Sequence, residues 1–113
     1  MTRVIYADSR PIAYLVDTLP EDVLSAADLE KSFTGSVLDL LLHRGDPKLT
    51  QSRTEIKAIV AASEVARALQ IQRDDVLLHF AAQLYSEAGR VVDYSFSYFL
   101  PGYFRFHVVR RVG

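Results

Sequence analysis

Polar side chains that could bind a small molecule alternate along the C-terminal third of this chain. They are His79, Gln83, Asp93, Ser95, Ser97, Arg105 and His107. Donors and acceptors that converge on one surface are what a site for a polar metabolite requires. A solvated sheet face shows the same pattern, so the alternation alone leaves both interpretations open.

Catalytic chemistry has little support in the sequence. The three histidines, His43, His79 and His107, lack the spacing of metal ligands. There is no cysteine, no Gly-x-Ser-x-Gly motif and no phosphate-binding glycine loop. Asp74 and Asp75 are typical of a turn rather than of an acid pair. We therefore expect a protein that binds rather than an enzyme, with neither a metal nor a cofactor.

Alternation and proline positions predict the elements that open the chain. Residues 3–8 and 11–18 read as two strands joined by a short hairpin link. Pro20 suits the first turn of a helix, and a short helix is predicted over 20–26.

Cap residues predict two further helices with a strand between them. Ser36 has the side chain and position of an N-cap for a helix that ends at Gly45. A helix N-terminus with a free hydroxyl also suits a phosphate or carboxylate, which is the functional interpretation of Ser36. Alternating polarity over 49–61 predicts a strand with one wet face, and Ser63 is expected to cap a helix from Glu64 to Leu69.

The remainder of the chain predicts an antiparallel meander of three strands, at about 76–86, 90–100 and 103–111. A three-residue loop that ends at Gly89 places Ser86 opposite Arg90 and sets the register. One face then carries Leu78, Phe80, Ala82 and Leu84 with Val92, Tyr94, Phe96 and Tyr98. The other carries His79, Gln83 and Tyr85 with Asp93, Ser95, Ser97 and Phe99, and is extended by Arg105 and His107.

Length and composition bound the class of protein. A chain of 113 residues, half of them apolar, has room for one domain with a packed core. The formal net charge of −1 and the dispersed basic residues argue against nucleic-acid binding by this chain. No apolar run is long enough for a membrane span, and neither a signal peptide nor cysteine is present. The sequence therefore predicts a soluble, cytoplasmic α+β domain.

An ordered set of motifs resembles a known family. The run Gly89-Arg90-Val91-Val92-Asp93-Tyr94-Ser95 resembles closing strands of the effector-binding domain of GntR-type transcription regulators of the HutC subfamily. Upstream, the strand-turn-strand from Arg3 to Ala13, then Leu19-Pro20, Gly35-Ser36-Val37-Leu38 and the stretch from Ala58 to Leu69 match in the same order. That domain is named UTRA, for UbiC transcription regulator-associated, and the resemblance spans nearly the whole chain.

The resemblance implies a chorismate lyase-like fold, an antiparallel sheet with helices packed over a buried ligand site. It implies sensing of a small metabolite effector and a homodimer formed through this domain. The family places a winged helix-turn-helix domain before it, so DNA would be bound only through that missing N-terminal part. On this interpretation residues 1–113 are a UTRA-like domain whose start is truncated.

The resemblance also assigns ligand-binding roles. Arg3 matches the first arginine of an Arg-x-Arg pair, and Ser36 matches a helix-start serine. Asp93 stands for a glutamate, Phe99 for an aromatic contact that is often tyrosine, and Arg105 for an arginine of the closing strand. Ile5 occupies the position of the second arginine, and a sugar phosphate would need both arginines to bind its anion. A less charged or differently shaped effector is therefore expected. Ser95 joins the set from the polar face.

Two alternative functions remain open at this point. A chorismate lyase-like enzyme would use Asp93 and Arg105 as an acid and a carboxylate-binding group. A purely structural dimerisation module would bind no ligand at all.

Overall fold

The computed structural model describes residues 1–28 and 36–113. The strands are β1 (Thr2–Ala7), β2 (Arg10–Thr18), β3 (Leu49–Val60), β4 (Val76–Ser86) and β5 (Val91–Phe99), and the helices that lie wholly within the described residues are α1 (Val37–Arg44) and α2 (Ser63–Leu69). The strands form one five-stranded antiparallel sheet in the order β1-β2-β5-β4-β3. This α+β architecture confirms the expected fold class.

The two helices pack against opposite faces of the sheet. Helix α2 buries Val65 and Leu69 against Tyr14 and Leu77, on the face that also carries Tyr98. Helix α1 buries its apolar side in a second cluster, which contains Val37, Leu40, Leu41, Val92 and the partly buried Leu84. Each face therefore has its own apolar cluster, and each helix covers only part of its face.

The ends of α1 are set by the predicted cap residues. Ser36 Oγ accepts a hydrogen bond of 2.9 Å from the backbone N–H of Asp39. Gly45 has a φ of 75°, and its N–H donates to the carbonyl of Leu41 at 3.0 Å. A serine N-cap and a left-handed glycine satisfy backbone groups that a helix end leaves without intrahelical partners. Both cap predictions are confirmed, while Gly35 lies outside the described residues.

Two predicted helix starts are wrong. Residues 21–24 form a turn in which the N–H groups of Val23 and Leu24 both reach the carbonyl of Pro20, and the next helical residues are 26–28. Helix α2 does begin at Ser63, but its N-cap is Ala62 and no side chain caps it. Ser63 is thus the first helical residue and not the cap.

A β-bulge changes the predicted register of the last hairpin. Ser86 and Arg90 face each other as expected, since the N–H of Ser86 donates to the carbonyl of Arg90 at 2.9 Å. Beyond this point Tyr85 pairs with Val91, whereas Leu84 pairs with Asp93, so Val92 is an extra residue in β5. One extra residue reverses which way every following side chain points.

The predicted division into one apolar and one polar face is therefore wrong. Leu78, Phe80, Ala82 and Leu84 share a face with Asp93, Ser95, Ser97 and Phe99, and His79, Ala81 and Gln83 share the other with Tyr94, Phe96 and Tyr98. Both faces mix apolar and polar side chains.

The third strand of the predicted meander, 103–111, is not formed, and residues 104–113 have no regular secondary structure. A meander needs a free edge on β5, but β5 already pairs with β2 on one side and β4 on the other. The chain turns at Pro101 and Gly102 instead. Within the described ranges no helix is long and apolar enough to cross a membrane.

Candidate functional site

Strands β2 and β5 place carboxyl, hydroxyl and aromatic side chains on one face of the sheet. Directly paired positions on this face are Ala13 with Phe99, Leu15 with Ser97, and Asp17 with Ser95. Asp93 and Arg3 lie on the same face, which we call the acid face and define by Arg3, Asp17, Asp93, Ser95, Ser97 and Phe99. Helix α1 packs beside its Asp93 end, because Leu84, which pairs with Asp93, belongs to the α1 cluster.

Two buried carboxyl groups meet at this end of the acid face. Asp17 is 6% exposed and Asp93 is 7% exposed. Asp93 is a hydrogen-bond partner of Asp17, and a bond between two carboxyl groups requires a proton on one of them. Asp93 Oδ1 is buried and has no hydrogen-bond partner among the described residues.

Burial is the main cause that raises the pKa of Asp93, to about 8. The hydrogen bond to Asp17 and the negative charge of Asp17 raise it further, while the amino group of Met1 and the guanidinium of Arg3 act in the opposite direction. A carboxylate in a low-dielectric site beside a second carboxylate is costly, so the neutral acid is favoured. At neutral pH Asp93 therefore keeps its proton, which it shares with Asp17 through the hydrogen bond between them.

Arg3 supplies the positive charge next to the pair. Its Nη2 lies 3.5 Å from Asp17 Oδ2, and its side chain is 20% exposed. The neighbouring positions of β1 and β2 place Arg3 there, because Arg3 pairs with Leu15 and Asp17 lies two residues further along β2. One guanidinium and one proton together balance the two carboxyl groups.

The other end of the acid face is aromatic. Phe99 contacts Phe80, Phe104 and Phe106, with ring centroids 5.1, 4.7 and 4.9 Å apart. Phe99 lies six positions after Asp93 on β5, so the two residues are about 20 Å apart along the extended strand. A compact ligand bound at the acid pair would contact Ser95 before it reached Phe99.

The structure brings four of the six predicted site residues onto one face, namely Arg3, Asp93, Ser95 and Phe99. Ser36 instead caps α1 with its hydroxyl. Arg105 is exposed and follows the last strand, so it is not part of a closing strand. A binding role for any of these residues stays a prediction.

Asp17 is the residue of this site that sequence reasoning missed. It is the only acidic or basic side chain in the apolar run from Pro11 to Thr18. A charged residue inside a strand with buried neighbours is seldom tolerated without a partner. That signal was available in the sequence, but it did not identify Asp93 as the partner.

The opposite face holds a separate groove of about 350 Å³. It is lined by charged side chains of β3, namely Arg53, Glu55 and Lys57, and by His79 and Gln83 of β4. His79 is buried, its Nδ1 is 3.0 Å from the carbonyl of Ser97, and its ring stacks on Tyr98. The His79 ring is thereby held in the sheet by its neighbours, while Gln83 and the charges of β3 face the groove.

Metal ligation is not supported in the described part of the chain, where no group of three or more His, Asp or Glu side chains comes together. The acid pair offers carboxyl groups from only two residues.

Several solved structures that are similar to this chain are described as transcriptional regulators. A GntR-family transcriptional regulator from Enterococcus faecalis V583 is 26% identical, with a TM-score of 0.80 over 97% of this chain and 78% of the other. A GntR-family regulator from Bacillus cereus is 22% identical, with a TM-score of 0.80 over 97% and 76% of the two chains.

A third similar structure is the C-terminal domain of a GntR-family transcriptional regulator from Bacillus anthracis str. Sterne. It is 18% identical, with a TM-score of 0.69 over 91% of this chain and 70% of the other. At that identity the likeness concerns the fold alone. No curated protein matches the chain significantly.

The family model of the UTRA domain matches residues 1–105. This range includes all five strands, both helices and the whole acid face. The chain belongs to the UTRA domain family, which confirms the resemblance noted in its sequence.

Proposed function

We propose that this domain senses a small-molecule effector through the acid face and transmits binding to an attached DNA-binding domain, as part of a GntR/HutC-type transcription repressor. The observation that carries the proposal is the burial of Asp17 and Asp93 on a sheet face, next to the partly buried Arg3. A protein with buried ionisable side chains is often less stable than the same protein with apolar side chains of similar size in their place. Their presence therefore points to a role in binding. Membership of the UTRA family supports the same role.

The mechanism is a shift between two arrangements of the regulator. An effector that binds one arrangement more tightly than the other raises its population, and the difference in affinity sets the size of the response. Helix α1 packs beside the acid pair through Leu84 and Val92. Movement of α1 on binding would carry the signal away from the sheet.

The test is a thermal-shift screen of a metabolite library, because a ligand that prefers the folded state raises its melting temperature. Hits are retested on the acid-face variants Asp93→Asn and Ser95→Ala, because Ser95 lies opposite Asp17 on β5. Arg53→Ala, in the groove on the opposite face, is the matched control. The proposal expects hits that the acid-face variants weaken at least tenfold and that Arg53→Ala leaves unchanged.

Other outcomes of the screen reject the proposal in distinct ways. A hit that only Arg53→Ala weakens would move the ligand site to the opposite groove. The absence of any hit would favour the structural alternative, a dimerisation module without a ligand.

We also propose that the domain forms a homodimer. Apolar side chains that one chain leaves exposed support this, among them Val108, Val109 and Val112, as do the open edges of the sheet at β1 and β3. Exposed strand edges and apolar segments favour association with a second chain. Sedimentation equilibrium should give twice the monomer mass, and a monomer at high concentration would contradict the dimer.

The enzymatic alternative is a chorismate lyase-like reaction. It would need Asp93 and Arg105 to act together, whereas Asp93 is buried in the sheet and Arg105 is exposed beyond it. The assay is pyruvate release from chorismate. If the parent chain released pyruvate faster than the Asp93→Asn variant, the domain would be an enzyme and the proposal of effector sensing would be wrong.

A further inference from the structure

One carboxyl oxygen of the acid pair is buried and accepts no hydrogen bond from the described residues. Asp93 Oδ1 is buried and has no hydrogen-bond partner in residues 1–28 and 36–113, and its side chain is 7% exposed. Native proteins pair nearly all such atoms, and each exception calls for a physical explanation, of which a bound partner is one. The atom accepts hydrogen bonds, so the missing group must be a donor.

The charged groups around the acid pair indicate which charge the hydrogen-bond donor should carry. The ionisable groups that act on Asp93 within the described ranges are Asp17, Arg3 and the amino group of Met1. Arg3 lies against Asp17, and its effect on Asp93 is the smallest of these. An anionic ligand at Asp93 would meet two carboxyl groups, whereas a cationic ligand would meet a negative charge as soon as Asp93 lost its proton.

We propose, on the basis of the proposed function, that the acid pair selects an effector with a primary ammonium group, and that this group displaces the proton shared by Asp17 and Asp93. The exchange is balanced: the O–H bond of the Asp93 carboxylic acid breaks, its proton goes to solvent, and the ligand ammonium donates N–H bonds to the resulting carboxylate. No covalent bond to the ligand forms. The total charge of the occupied site is the same as that of the empty one.

The proton exchange makes binding depend on pH. Because one proton is released for each ammonium bound, affinity should rise up to tenfold per pH unit below the pKa of Asp93, which is about 8, and level off above it. Ser95, opposite Asp17 on β5, is placed to bond a polar group beside the ammonium.

The test uses four probes with one five-carbon chain: cadaverine, 5-amino-1-pentanol, 1,5-pentanediol and glutarate. They differ in charge and scarcely in size, so only a charge preference separates them. Titration calorimetry at millimolar probe concentration compares the full chain with Asp93→Asn, Asp17→Asn and the control Asp74→Asn. Asp74 is exposed in a turn with a φ of 73°, which asparagine accepts, so this control removes a carboxylate elsewhere.

The proposal expects the two amines to bind and the diol and the diacid to fail. In two buffers of different ionisation enthalpy, the amines should release up to one proton at about pH 7 and almost none at about pH 9. The variants Asp93→Asn and Asp17→Asn should each lower amine affinity at least tenfold and abolish proton release, while Asp74→Asn should match the parent chain. Proton release is measured on the parent chain itself, so this test remains valid even if the Asp93→Asn or Asp17→Asn variant fails to fold.

Other outcomes distinguish selection of an ammonium group from effector sensing at the acid face. Binding of glutarate or pentanediol that Asp93→Asn weakens would keep effector sensing at the acid face and overturn the ammonium class. Amine binding without proton release would overturn the exchange. Failure of all four probes would overturn the ammonium class, and the library screen then decides separately whether the face senses any effector.

Discussion

Asp17 and Asp93 reach each other diagonally across two neighbouring strands. Asp17 pairs with Ser95 on β5, and Asp93 is the previous residue on the same side of that strand. Diagonal neighbours across a sheet are close enough for side chains to touch. The bulge at Val92 has a direct part in this contact, because it lies between the hairpin turn and Asp93 and sets the face on which Asp93 appears.

The acid pair should make stability depend on pH. The pKa of Asp93 is raised in the folded state, so between about pH 4 and about pH 8 the folded chain holds a proton that the unfolded chain has lost. The free energy of unfolding should therefore fall as pH rises through this window, by at most about 1.4 kcal/mol per pH unit. Urea unfolding across the range measures the slope. Asp93→Asn should remove it and Asp74→Asn should retain it; equal slopes in all three would contradict the shared proton.

Removing the cation beside the pair should cost stability. Arg3→Met leaves Asp17 buried without its guanidinium, and breaking such a pair on one side costs about 3 kcal/mol when both groups are well buried. The 20% exposure of the Arg3 side chain should reduce this cost. The double variant Arg3→Met with Asp17→Asn should recover part of the loss, which a double-mutant cycle measures. Strictly additive losses would show that the two residues do not interact.

Gly89 should resist substitution because of its backbone. Its φ is 81°, and an added Cβ would meet no atom within 4 Å, so the cost is conformational and not steric crowding. Gly89→Ala should lower the free energy of unfolding by about 1 to 2 kcal/mol. Gly89→Asn should cost less, since asparagine enters the left-handed region more readily. An alanine variant as stable as the parent chain would mean that the loop can adopt another conformation.

Ser36→Ala separates the two interpretations of this residue. Loss of the cap to Asp39 N should destabilise the chain by about 1 kcal/mol. Ser36→Asp retains a capping oxygen and should restore stability. If Ser36 also contacts the effector, Ser36→Asp should still weaken binding in calorimetry, whereas unchanged affinity would leave Ser36 a cap and nothing more.

Much of the secondary structure could be predicted because its signals are local. The strands from Leu49 to Val60 and from Val76 to Ser86 follow from alternating polarity, and Gly45 ends α1 by its own conformational freedom. The helix predicted over 20–26 failed since a proline and two acidic residues also suit a turn. The strand predicted over 103–111 failed because alternation does not reveal whether a strand has a free partner.

The candidate site was predictable in its residue types and not in its arrangement. Asp93, Ser95 and Phe99 share a face by the two-residue period of any strand. Their neighbours were wrong, since Gln83 and His79 point to the other side once Val92 is bulged. Nothing in the local sequence around Val92 distinguishes a bulge from a regular pair, because the choice depends on which side chains α1 and β2 must bury.

By itself the sequence determined the α+β class, the cap residues of α1, the hairpin turn at Gly89 and the family, since each depends on short stretches of chain taken in order. Only the tertiary structure decided that β2 lies against β5 and that Asp17 meets Asp93. The physical reason is that pairing between distant strands is chosen by the burial of whole faces. A carboxyl group takes its proton affinity from neighbours that such pairing brings to it.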